Sequence, residues 1–178
     1  MMKKMLIPVV LTAVCALHAE TFRIEGEDLA VPQGKTKLGK HAAAFSGGKS
    51  ITAAAKGTVL EGAYKLEKAG KYQVWVRTFT MGGKWRNGEL SANGQALGKF
   101  GDEPLEEGEK AHWHWVRLKE TELPAGKLEL KIVSKMGFVR LDAILLTDDE
   151  RYTPPKKGAE ISKIPALPPY QEAAAPGE

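Results

Sequence analysis

The chain has 178 residues, with 26 Lys and Arg against 22 Asp and Glu, a formal net charge of +4. At 43% hydrophobic and 27% charged residues it has the composition of an ordinary globular protein, which excludes global disorder. A single Cys excludes a disulfide framework and a cysteine-rich zinc site.

Residues 1–19 read MMKKMLIPVVLTAVCALHA. Lys3 and Lys4 form a basic start, Met5 to Leu17 an apolar run, and Ala19 offers a small residue for cleavage. This is the pattern of a secretory signal peptide. The run is too short for a bilayer span, which needs about 20 apolar residues. Cys15 would suit lipidation only behind a small residue, and Val14 stands there. Cleavage after Ala19 removes the Cys and two lysines and lowers the formal charge to +2. The mature chain is expected to be exported, to the periplasm, the cell envelope or the medium, with no transmembrane segment.

Short alternating runs between Gly, Asn and Pro then follow, with few helix signals, as in an all-β sandwich. Expected strands are Thr21 to Glu25, Lys49 to Ala54, 69–79, Gly88 to Ala92, Gln95 to Phe100, Trp113 to Lys119, Lys127 to Val133 and Phe138 to Thr147. The clearest is 69–79, where Tyr72, Val74 and Val76 share one face and Gln73, Trp75 and Arg77 the other. Asn93-Gly94 is a hairpin signal, because both residues tolerate positive φ. About eight strands at this spacing suit a jelly roll. From Thr153 onward lie six of the ten prolines, so 153–178 reads as a semi-extended, disordered tail or linker beyond a core of 20–152. No dinucleotide, P-loop, zinc-protease or serine-hydrolase motif is present.

Several segments together resemble a family. FRIEGEDLA, SGGKSI at 46–51, AGKYQVWVR at 69–77, ELPAGKLELKI at 122–132 and VRLDAILLTDD at 139–149 follow one order. That order resembles galactose-binding-like β-sandwich modules, above all carbohydrate-binding modules of families 6 and 35. The pattern WVRTF, NGQALGKFG, WHWVRL and RLDAILLTDDERYTPP is similar to golvesin-type domains of secreted bacterial proteins. The resemblance covers about residues 20–155. It implies an exported, non-catalytic jelly-roll module that binds a glycan or polysaccharide.

The carboxylates permit more than one reading. Glu25 and Glu27 are two apart in an extended segment and project to one face. Asp142 lies among Val139, Leu141, Ala143 and Ile144, where a charge needs a partner. Modules of the resembled kind usually pin their first and last strands with a calcium ion, and Glu25, Glu27 and Asp142 match the positions of its ligands. A hard cation of this type prefers oxygen donors. The other reading is a salt bridge from Asp142 to Arg23, Arg140 or Arg77. Catalysis would need carboxylates flanking a sugar-sized opening, which two residues on one strand do not provide.

Trp113 and Trp115 share a face with Arg117, and Trp75 shares one with Arg77; Trp85 is expected in a loop, beside Arg86. Such amphipathic aromatics either stack on sugar rings or pack under a loop. The resembled modules use an aromatic near Trp113 and an Asn two residues before the last-strand Asp. Arg140 occupies that second position, and its forked donors suit a carboxylate or sulfate. The expected ligand-binding residues are therefore Trp85, Arg86, Trp113 and Arg140. His112 and His114 share a strand face but lack the further ligands that zinc requires. The lysines are interspersed with acids, including the stretch Glu103 to Glu109, so nucleic acid is not an expected partner. The alternative to a glycan-binding module is an envelope structural or interaction module that meets a partner protein through its Pro-rich tail. No nucleophile, acid–base pair or cofactor motif supports an enzyme.

Overall fold

The computed structural model describes residues 19–41, 44–82 and 86–172. Residues 1–18 of the expected leader, with Cys15, and Trp85 lie outside the described residues. Twelve strands are formed rather than about eight: β1 (Thr21–Glu25), β2 (Ala30–Gln33), β3 (Thr36–Lys40), β4 (Lys49–Ala53), β5 (Val59–Leu66), β6 (Gly70–Thr80), β7 (Gly88–Ala92), β8 (Gln95–Phe100), β9 (His112–Arg117), β10 (Thr121–Leu123), β11 (Gly126–Ser134) and β12 (Val139–Thr147). The additional four have weak local patterns. β2 carries a proline and is fully exposed, β3 carries Gly39 at an outer position, β5 is interrupted by Gly62, and β10 has three residues.

Two antiparallel sheets pack face to face. One runs β10–β6–β12–β4–β3, with β1 beside β12 and β9 beside β6; the other runs β2–β5–β11–β7–β8. The long strands β6 and β12 form the spine of the first sheet. β12 pairs along one side with β6, and along the other with β4 at 139–141 and β1 at 143–147. On β6 the alternation of the sequence is realised: Tyr72, Val74 and Val76 are fully buried and join Leu90, Leu130, Ile132, Ile144 and Leu146 in the core. Burial of such side chains is the main favourable term, about 1.5–3 kcal/mol each. Asn93 and Gly94 have φ of 48° and 79°, and they turn β7 into β8 as the expected hairpin.

On β12 the alternation breaks. The register of β12 against β6 shifts between Leu141 and Ile144, so both residues enter the core although an odd interval separates them. Such a bulge re-aims the intervening side chains. Asp142 falls inside it, where the neighbour on the other side of β12 changes from β4 to β1.

The proline-rich segment is extended, yet it lies against the sandwich. After the short helix α1 (Gly158–Ile161), the Arg23 N–H donates to Pro165 O and the Leu167 N–H to Arg23 O, each at 2.8 Å. Further on, the Lys65 N–H donates to Pro168 O and the Tyr170 N–H to Ala63 O. Residues 153–170 thus form a strap that pairs with β1 of one sheet and β5 of the other, with Ile161 and Leu167 buried beneath it. Proline lacks the donor but keeps the acceptor, and the strap uses Pro165 and Pro168 in that way. Among the described residues no helix is long and apolar enough to cross a membrane.

Candidate functional site

Two neighbouring sites lie on the outer side of the seven-stranded sheet. The first is a buried acidic cluster under the loop that enters β4. Asp142 has no exposed surface; its Oδ2 accepts from Arg77 Nη1 at 2.5 Å and its Oδ1 from the Ser46 N–H at 3.0 Å. Of the three arginines weighed from sequence, Arg77 makes the direct pair. Ser46 joins the cluster to β1, because its hydroxyl donates to Glu25 Oε1 at 2.9 Å. Arg23 also reaches both Glu25 and Ser46.

Glu25, Glu27 and Asp142 are thereby gathered around the 46–48 turn. Gly47 sits there at φ +59°, where a side chain would be strained, and a Cβ on it would stand 3.1 Å from both Glu25 Oε1 and Glu27 Oε1. Glu25 Oε2 and Glu27 Oε2 are buried without a hydrogen-bond partner. Burial pushes the Glu27 carboxyl above its ordinary value, and the charges of Asp28 and Asp142 add to this. Burial raises Asp142 as well, opposed by the hydrogen bond and charge of Arg77, the Ser46 N–H and the charge of Arg23. Among the described residues no three His, Cys, Asp or Glu side chains stand as a preformed metal cage.

The second site is aromatic. β9 pairs with β6 so that Arg77 faces Trp115, Phe79 faces Trp113 and Trp75 faces Arg117. Trp113 packs edge-on against Phe45 at 5.1 Å between ring centroids and against Phe79 at 5.3 Å. The Arg140 guanidinium lies 4.9 Å above the Phe79 ring, a cation–π distance. Phe79 therefore joins two residues that sequence reasoning singled out separately, Trp113 and Arg140. Arg86 stands near the same end of β6, its guanidinium against Met81. Phe45 was not legible as a site residue, since it is a lone aromatic in a short segment; Phe79 ends the clearest strand, on the face of Trp75 and Arg77, and that alternation was the signal that could have found it.

Beside this row lies a pocket of about 400 Å³, lined by Trp75, Trp113 and Trp115 from the sheet and by Thr153, Pro154 and Lys156 from the strap. The Trp115 indole N–H donates to Pro155 O at 2.8 Å. Trp75 and Trp113 are half-buried, and the Trp75 indole nitrogen is buried without an acceptor. His112 and His114, 5.4 Å apart, complete the wall. Each faces a carboxylate: Glu109 at 3.5 Å and Glu103 at 3.2 Å. Burial pushes Glu103 upward, but the His114 ring beside it, its own backbone and the Gly101 N–H outweigh this and hold it below the usual carboxylate range.

A groove of about 490 Å³ crosses the other sheet between Ala30, Glu61, Ala63, Ser91, Glu129 and Lys131. It is larger but contains no aromatic side chain on which a sugar face could stack.

No family model matches the sequence, and no curated protein does. Solved structures do match. A family 6 carbohydrate-binding module at the C-terminus of a laminarinase from Zobellia galactanivorans is 16% identical, with a TM-score of 0.55 over 72% of this chain and all of that one. A family 6 module of a Cellvibrio mixtus lichenase, solved with cellotriose, is 17% identical, with a TM-score of 0.52 over 72% of this chain and 97% of that one. A family 35 module from an environmental isolate is 17% identical, with a TM-score of 0.56 over 83% of this chain and 99% of that one. The β-sandwich thus has the fold of carbohydrate-binding modules of families 6 and 35, as the resemblance implied.

Proposed function

We propose that the protein is an exported, non-catalytic module that binds a glycan on the outer face of β6 and β9. The observation that carries this is the continuous row Arg140–Phe79–Trp113, which runs into a pocket walled by indoles. Aromatic faces match the apolar faces of sugar rings, and a guanidinium beside them can bind hydroxyls or acidic groups. Trp113 stacks on the ligand, Arg140 reads its polar groups, and Arg86 extends the surface beyond Thr80. Immobilised glycans test this directly: the intact chain binds at least one, and Trp113→Ala loses it while the fold is retained by circular dichroism. Absence of any glycan ligand refutes the reading.

The reading includes a structural calcium. What supports it is that Glu25 and Glu27 each bury one oxygen, Oε2, without a partner and bring the other, Oε1, beside Gly47, while Ser46 links Glu25 to Asp142. When bound, the ion supplies positive charge to this cluster and has no part in catalysis. Glu25, Glu27 and Asp142 would hold it, and Arg23 would give up its contact with Glu25. Thermal unfolding in calcium and in EDTA decides between this and an arginine-only cluster.

A further inference from the structure

The strap does more than pack. Three of the residues that line the indole pocket, Thr153, Pro154 and Lys156, belong to it, so this wall exists only while the strap is docked. Two hydrogen bonds to successive strap carbonyls fix its position. Trp115 Nε1 donates to Pro155 O at 2.8 Å and Arg77 Nη2 to Lys156 O at 2.9 Å. Both donors are themselves held by β-sheet pairing, Arg77 opposite Trp115. Fixing the backbone at Pro155 and Lys156 sets the position from which the Lys156 side chain departs.

The charge of the pocket is one-sided. Its lining holds Arg77, Lys156, His112 and His114 and no Asp or Glu. The nearby carboxylates are engaged: Asp142 with Arg77, Glu103 with His114 and Glu109 with His112. Arg77 is buried and committed to Asp142, Ala44 O and Lys156 O. Lys156 is exposed and pairs with no carboxylate among the described residues. A pocket of about 400 Å³ lies in the range of small-molecule sites, about 300–1,000 Å³.

We infer that the strap is the specificity-determining wall of the pocket and that it selects a sugar bearing a carboxylate or a sulfate. The ring lies on the indole faces while the anionic group meets the Lys156 ammonium, a charge-assisted contact. This rests on the glycan-binding reading above and adds Lys156, a residue of the strap, as the group that meets the anion.

Binding of the full-length chain is measured on matched polymers: polygalacturonate with its methyl ester, and dextran sulfate with dextran, beside an array of neutral glycans. The carboxylate and sulfate pairs separate the two anions. The wild type is expected to prefer the anionic member of at least one pair. Lys156→Gln weakens that polymer about tenfold and erases the preference, in line with loss of one hydrogen bond to a charged group. Trp115→Phe keeps a ring but removes the anchor of Pro155, and it weakens the same polymer. The inference is overturned if the wild type binds only neutral glycans, or if both variants bind the anionic polymer as the wild type does; the glycan-binding reading survives either result. Binding to no polymer and no array glycan overturns both.

Discussion

Arg77 donates to the carboxylate of Asp142 at 2.5 Å across the seam between β6 and β12, and Asp142 has no exposed surface. The same guanidinium donates to Ala44 O and Lys156 O, so one side chain ties the spine of the sheet to a loop and to the strap. Removing either partner leaves a buried charge without its counter-ion. Arg77→Ala or Asp142→Ala is expected to cost about 3–5 kcal/mol in denaturant unfolding. The double substitution should cost less than the two singles combined, and additive losses would show that the pair is not coupled.

Leu167 is buried within the core cluster although it lies beyond the last strand. Leu167→Ala should therefore destabilise the whole domain by about 2–5 kcal/mol, as in any core position. Unchanged stability would mean that the strap contributes no core packing.

Calcium at the Glu25 and Glu27 oxygens would stabilise the native state by mass action, about 2.7 kcal/mol at a hundredfold excess over Kd. The melting temperature is expected to rise with calcium and fall with EDTA, and Glu27→Gln should remove the difference. Identical melting curves would leave Arg23 and Arg77 as the sole cations of the cluster.

The Glu103 carboxyl is held below its ordinary value of 4.5. A depressed acid contributes stability above its unfolded value and loses it as pH falls through the folded one. Stability should thus decline below about pH 4.5, and Glu103→Gln should flatten that decline. The pair with His114 is partly exposed, so the contribution is about 1 kcal/mol or less. A pH profile unchanged by the substitution would contradict it.

How much of this was legible in the sequence follows from how local each signal is. β6 and β12 carry their own apolar patterns, and Asn93-Gly94 carries its own turn, so the sandwich could be read from short windows. β2 and β3 are mostly exposed strands whose pairing is decided by β5 and β4, and nothing in AVPQ or TKLGK announces it. The burial of Asp142 could be inferred from its apolar neighbours. The choice of Arg77 over Arg23 or Arg140 could not, because it depends on the bulge between Leu141 and Ile144. Proline content identified an extended segment at 153–178, but its docking rests on carbonyls meeting Arg23 and Lys65, far away in the chain. Trp113 and Arg140 were singled out separately, and the place of Phe79 between them became visible only through strand register.

The strap has one more consequence. β1 and the end of β5 would each present a row of unpaired N–H and C=O groups, and the strap pairs with both through Arg23, Ala63 and Lys65. Open sheet edges of this kind recruit strands from other molecules. A chain ending at residue 152 would bare two such edges and the apolar seats of Ile161 and Leu167 at once. With the strap docked, neither edge is open to a strand from another molecule, and its prolines, unable to donate, make it a poor template for the next strand.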